Sequence, residues 1–299
     1  MSGQRCEDKS LTEVSGRVTR IEGRGELPAL QITTAWSEAE IYLHGAQVTH
    51  FKRHREPPLL FLSQCSQFMT GQPIRGGIPI IFPWFGRPHD KPNQHGFARI
   101  TDWLLKDASL NSDGTVTVRL AMQACESQPE RRSFAVDYVV TVGKSLALEL
   151  IVTNSDSREL EFENCLHTYF AVGDIAGVEV RGLRGVEFMD QTNNCARNLE
   201  TESAIAIRSE VDRAYLDTTH SVQIIDRALG RTIFVEKEGS ASTVVWNPWI
   251  AKSRAMHDFG DDEYLRMICV ESGNVGPNGI TLPSGEISRL RVRLSNMGV

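Results

Sequence analysis

The sequence predicts an all-β protein, a large antiparallel β-sandwich in one domain, and three observations carry that reading. Runs in which apolar and polar residues alternate recur from end to end, as at 115–121, 134–142, 146–153 and 287–294. A strand with one dry face and one wet face produces that alternation. Many runs stop at turn chemistry, such as Asn111-Ser112-Asp113-Gly114, Gly143-Lys144, Asn154-Ser155-Asp156 and Pro283-Ser284-Gly285. Helical periodicity is weak throughout, and neither a βαβ rhythm nor a glycine-rich phosphate loop is found.

Taken in order, residues 1–15 are polar and are expected to form a disordered tail ahead of a single domain over 16–299. An alternating run at 43–51 opens the strand series. It is followed by the long stretch Arg75–Arg99, RGGIPIIFPWFGRPHDKPNQHGFAR. Pro79, Pro83, Pro88 and Pro92 each remove a backbone donor, so most of this stretch should be loop rather than central strand or helix. Gly76 and Gly77 allow backbone conformations or close approaches that other residues resist. A loop of this length in a compact protein is usually functional, although one wrapping a core edge has the same composition. Further strands are expected at 115–121, 134–142, 146–153, 159–163, 178–180, 222–225, 232–235 and 287–294. Short helices are expected, if anywhere, at 205–215 and 258–267.

The 299 residues carry a formal net charge of −6, which argues against nucleic acid or an anionic membrane as partner. No segment has the continuous apolar length of a membrane span, and the polar N-terminus has no apolar core of a secretory signal. Cys6, Cys65, Cys125, Cys165, Cys195 and Cys269 are scattered, with no C-x-x-C pair. Free buried thiols in a reducing, cytoplasmic setting are the simplest reading. No set of side chains at metal-ligand spacing stands out.

Several residues could carry chemistry. His167 follows a strand run and is flanked by Leu166, Tyr169 and Phe170, an apolar setting that shifts an imidazole's titration; a satisfied core histidine looks the same. Glu271 ends the apolar run Met267-Ile268-Cys269-Val270, where a carboxylate is costly unless it reaches water or has a task. Asp212 reads by itself as an ordinary surface acid. Trp246-Asn247-Pro248-Trp249 reads as a packed aromatic turn. Arg75 and Arg99 bracket the long loop, and the planar guanidinium suits phosphate oxygens.

In combination these positions resemble the glucose-6-phosphate 1-epimerases, the hexose-6-phosphate branch of the aldose 1-epimerase (mutarotase) family. The likeness runs from about residue 43 to the C-terminal strand. It is carried by Arg75, Gln94, Arg99, His167, Asp212 and Glu271 in the family's order. It implies a galactose mutarotase-like sandwich that interconverts the α and β anomers of a hexose 6-phosphate without a cofactor. Glu271 would take the O1 proton and His167 would donate to the ring oxygen. Arg75, Gln94, His95, Arg99 and Asp212 would bind the substrate, the arginines at the phosphate. Arg87, Arg184 and Lys252 are further cations of interest. The partner would be the small sugar phosphate alone, and the chain is expected to act as a monomer. Many family members have proline where this chain has Ser272, which bears on how firmly Glu271 is held. Two other readings remain open. One is a carbohydrate-binding protein without activity on the same fold. The other is a glycoside hydrolase, which would need Asp212 as a second carboxylate.

Overall fold

The computed structural model describes residues 14, 17–91, 93–123 and 134–298. Two large antiparallel sheets dominate it. One has nine strands, ordered across the sheet as Ala204–Ala206, Val178–Arg181, Val222–Asp226, Arg231–Glu238, Ile287–Gly298, Leu146–Asn154, Phe134–Val142, Val116–Met122 and Trp103–Leu110. The other, of eight strands, runs Ala196–Leu199, Glu187–Asp190, Val211–Tyr215, Ser242–Asn247, Met267–Asn274, Asn164–Leu166 and Ile80–Ile81, with Tyr169–Ala171 also paired to Met267–Asn274. A four-stranded sheet spanning residues 18–53 and a ribbon of Leu160–Phe162 with Ile280–Leu282 complete the strands of the described residues.

Alternation explains the packing. Along Ile287–Gly298, Leu290, Val292 and Leu294 are buried while Arg289, Arg291 and Arg293 face water. On the wet side Arg291 pairs with both Glu149 and Glu238 at 2.9 Å. One buried cluster takes in Leu290, Val292 and Leu294 from the nine-stranded sheet and Val245, Ile268 and Val270 from the eight-stranded sheet, so the core lies between the two. All eight residues of Met267–Asn274 are buried. Ile268 and Val270 join the main core, whereas Met267 and Cys269 pack on the other face with Phe61, Tyr169, Trp246, Phe259 and Tyr264. Period 2 puts Glu271 on that second face.

The fold class and most strand runs agree with the sequence reading, and the departures have physical causes. The expected helix at 205–215 is two strands, Ala204–Ala206 and Val211–Tyr215. The latter is paired on both sides, by Glu187–Asp190 and Ser242–Asn247, and ladder pairing overrides a weak helical period. Residues 258–267 hold only a single 3₁₀ turn, Glu263–Arg266, and the α-helix is instead Trp249–Ala255, directly after the aromatic turn. Glu271 is interior to its strand rather than at the end. Cys165 and Cys269 are buried free thiols, but Cys65 and Cys195 are exposed; Cys6 and Cys125 lie outside the described residues. So does the expected tail, apart from Val14, which is buried in the core. Among the described residues no helix is long and apolar enough to cross a membrane.

Candidate functional site

The site is built on the outer face of the eight-stranded sheet, beneath the long loop. Cross-strand register lines up Asp212 with Trp246 and Trp246 with Cys269, while Val244 faces Glu271. His167 occupies the break between Asn164–Leu166 and Tyr169–Ala171, and both of those short strands pair with Met267–Asn274. Two chain-distant side chains therefore meet on one strand's flank. His167 Nε2 lies 3.2 Å from Glu271 Oε1. Glu271 is 1% exposed and His167 7%. The Cys165 thiol donates to the other carboxylate oxygen, Oε2, at 3.5 Å. The imidazole is stacked on the Tyr169 ring at 4.8 Å, with Trp246 and His95 meeting it edge-on at 5.9 and 5.8 Å.

The loop closes over this pair because its glycines permit it. Gly77 has φ +61° and Gly96 φ +72°; a Cβ at Gly96 would lie 1.9 Å from the Phe82 carbonyl oxygen. Glu163 accepts from the Phe85 backbone N–H at 2.8 Å and from that of Gly276, tying the loop to the sheet's far end. His95 Nδ1 accepts from the Gly86 N–H at 3.1 Å, which leaves the proton of the neutral ring on Nε2. Nε2 lies 3.1 Å from the Gln94 side-chain amide nitrogen, so the amide has to turn over for its oxygen to accept that proton.

Arg75 is anchored from two sides. Its Nε and Nη2 reach Asp258 Oδ2 at 3.1 and 3.0 Å, and its Nη1 donates to the Tyr169 hydroxyl at 3.1 Å. Arg99 is buried with Nη2 on the Gln94 carbonyl at 2.8 Å, and its Nε has no partner among the described residues. A buried guanidinium N–H without an acceptor is costly and suits an incoming anion. Lys252 bridges Glu210 at 3.0 Å and Asp212 at 3.4 Å.

These side chains surround a cavity of about 330 Å³ lined by Arg75, Gln94, His95, His167, Asp212 and Glu271, together with Arg87, Tyr169, Trp246 and Lys252. A neighbouring hollow of about 300 Å³ shares Arg75, Arg87 and Gln94 with it and adds Arg99, His257 and Asp258. Six of the seven residues expected at the site thus line one cavity, and the seventh, Arg99, lines the adjoining one. Of the further cations, Arg87 and Lys252 line the cavity; Arg184 lines neither space and is exposed. Sequence reasoning missed Asp258 and Tyr169, which fix Arg75. Tyr169 sits two residues from His167, a signal at hand; Asp258 had none.

Burial sets the electrostatics. It pushes the Glu271 carboxyl well up, assisted by Asp212 and opposed by the Cys165 hydrogen bond and Arg99. Burial, and then the charges of Arg99 and Arg75, push His167 down to about 3. Both partners are driven toward their neutral forms, which differ from the ion pair only in where one proton sits. Burial works against the Arg75 charge, but Tyr169 and Asp258 more than offset it. Burial, and to a lesser degree the charge of Arg75, push Arg99 down to about 10. Burial also lowers His95 strongly, with Arg99 and His167 adding to the effect, and raises Asp212 despite Lys252.

Comparison with known proteins identifies the family and the fold. The family model described as aldose 1-epimerase matches residues 28–295. A "Putative glucose-6-phosphate 1-epimerase" of Cenchrus ciliaris is 40% identical over 267 residues, covering 86% of this chain and 80% of that protein. A protein of the same name from Escherichia coli K12 is 34% identical over 252 residues, 83% of each chain. The crystal structure of a "putative mutarotase (YeaD)" from Salmonella typhimurium superposes with a TM-score of 0.87 at 31% identity, covering 95% of this chain and 94% of that one. With a sandwich of this topology, a buried histidine–glutamate contact and matches of this extent, the chain belongs to the aldose 1-epimerase family.

Proposed function

We propose that the protein is a hexose-6-phosphate mutarotase that interconverts the α and β anomers of glucose 6-phosphate by general acid–base ring opening and closure. The observation that carries the reading is the 3.2 Å contact between His167 Nε2 and Glu271 Oε1 on a cavity lined by Arg75, with Arg99 on the hollow that adjoins it. Anomer exchange needs a proton removed from O1 and one delivered to the ring oxygen. Both oxygens are bonded to C1, so two proton carriers in contact with each other are spaced to serve them. In the ion-pair form of the contact, with the shared proton on His167 Nε2, Glu271 takes the O1 proton as His167 protonates the ring oxygen, and the C1–ring oxygen bond breaks. The aldehyde turns about C1–C2, and closure on its other face returns both protons by the reverse path. Positioned acid–base groups contribute about 10²–10⁴-fold, and holding the sugar in reach of both supplies further rate.

Asp212, Gln94 and His95 hold sugar hydroxyls. Asp212 is engaged by Lys252, which supports a binding rather than a nucleophilic task and weighs against the glycosidase reading. Arg75 and Arg99 take the 6-phosphate; the unpartnered Arg99 Nε and the mutual repulsion of the two cations support an anion between them. The free thiols Cys65, Cys165, Cys195 and Cys269 support a reducing, cytoplasmic setting. The enzyme acts as a monomer on its small substrate. The test is Arg99→Ala, assayed by NMR exchange between anomers of glucose 6-phosphate and of glucose. A loss of at least about tenfold in kcat/KM for the phosphate ester, about 1.4 kcal/mol, with glucose nearly unchanged, is expected. Equal losses on both sugars would refute the phosphate assignment.

A further inference from the structure

Cys269 is fully buried, and anomer exchange gives it no task. Alternation along Met267–Asn274 puts its side chain on the same face as Glu271, two residues on. One ligand atom from each of His167, Cys269 and Glu271 lies within 4.8 Å of the other two. A tetrahedral zinc ion about 2.0–2.1 Å from a nitrogen and an oxygen holds those two atoms about 3.3 Å apart. His167 Nε2 and Glu271 Oε1 already stand 3.2 Å apart. Imidazole, thiolate and carboxylate together favour zinc over the oxygen-seeking magnesium or calcium.

We propose that His167, Cys269 and Glu271 form an inhibitory binding site for a zinc-type divalent cation on the wall of the cavity, with the fourth position open to solvent. His167 and Glu271 line the cavity and give the ion its way in. Three bonds form, zinc to Nε2, to Sγ and to a Glu271 oxygen. The Cys269 S–H bond breaks, and its proton leaves to solvent with the proton shared by His167 and Glu271. One doubly charged ion thus replaces two protons, so the net charge of the cluster is unchanged and the nearby Arg75 and Arg99 do not forbid entry. Part of the supporting shell is in place, although His167 Nδ1, which would carry the imidazole proton, is buried with no partner among the described residues. Cys165 donates to Glu271 Oε2, and Tyr169 stacks on the imidazole, which together restrict both ligands. An ion so placed occupies the nitrogen and the oxygen that the proposed reaction uses. It therefore blocks the enzyme rather than assisting it.

Only the inhibition depends on the proposed function; metal binding does not. The experiment titrates the reduced, full-length protein with cobalt(II) as a spectroscopic stand-in, follows the thiolate-to-cobalt charge-transfer band, and then displaces cobalt with zinc. We expect one equivalent of cobalt bound with that band, which zinc bleaches. In Cys269→Ser and Cys269→Ala the band should vanish and zinc should bind at least about tenfold more weakly. Zinc should inhibit anomer exchange by the wild type and a chelator should restore it, while both variants keep their zinc-free activity and lose the inhibition. The circular dichroism of both variants shows whether each remains folded. No band in the wild type, or a band that persists in both variants and so comes from another cysteine, would overturn the site. A Cys269-dependent band in a protein without anomer exchange would uphold the metal site and sink the proposed function instead.

Discussion

Glu271 carries a free-energy cost that its neighbours offset only in part. It is buried on a strand buried along its whole length, and its carboxyl titrates well above the ordinary value of 4.5. The sign of the consequence follows from linkage. Below about pH 4.5 the group is protonated in the folded and unfolded chains alike, and no penalty applies. As pH rises, the unfolded chain releases the proton while the folded chain retains it, so stability falls until the raised folded value is passed. Each unit of separation is worth about 1.4 kcal/mol. Glu271→Gln removes the titration and keeps the shape. The variant should be more stable than the wild type, by a margin that is wider at pH 8 than at pH 5 in chemical denaturation. A margin that stays constant or narrows with pH would contradict the assigned burial cost. The residues themselves were legible as a motif, and their energetics were not. His167 in an apolar segment and Glu271 after Met-Ile-Cys-Val signalled burial. That the two touch, and that Asp258 and Tyr169 clamp Arg75, depends on pairings between segments about 90 to 180 residues apart, which no local pattern encodes.

At the scale of elements, the stretch 75–99 shows why composition was a good guide. Among its described residues the prolines leave only a two-residue strand, Ile80–Ile81, and one 3₁₀ turn, Ala98–Ile100, and its glycines let it fold tightly over the sheet. Gly96→Ala should place a methyl group against the Phe82 carbonyl at a positive φ. It should cost about 1–3 kcal/mol or more and reduce kcat/KM by displacing His95 and Gln94. Unchanged melting temperature and unchanged kinetics would show that the loop relaxes freely. Strand periodicity was equally readable where one face is wet, as at Ile287–Gly298. It failed at 205–215, where Val211–Tyr215 is held by partners on both sides and Ala204–Ala206 by one. It also failed at the helix Trp249–Ala255, whose seven residues leave too little periodicity to detect.

At the scale of the molecule, the two large sheets divide the labour. The nine-stranded sheet supplies core, and the eight-stranded sheet supplies core on one face and the site on the other. Leu290, fully buried on the inner face of the nine-stranded sheet, belongs only to the first task. Leu290→Ala should cost about 2–5 kcal/mol in denaturant unfolding and leave KM for the sugar phosphate unchanged. A KM shift comparable to that of Arg99→Ala would mean that core and site are coupled across the sandwich. The sandwich was legible because alternation and turns repeat in every strand. The placing of the site on one sheet's outer face was not, because it follows from which strand edges pair. The central claim is that one buried contact, His167 with Glu271, moves both protons of anomer exchange. The most direct measurement is NMR exchange between the anomers of glucose 6-phosphate in His167→Asn and Glu271→Gln. Both variants should lose about 10²–10⁴-fold in exchange rate while remaining folded; exchange near the wild-type rate in both would contradict the account.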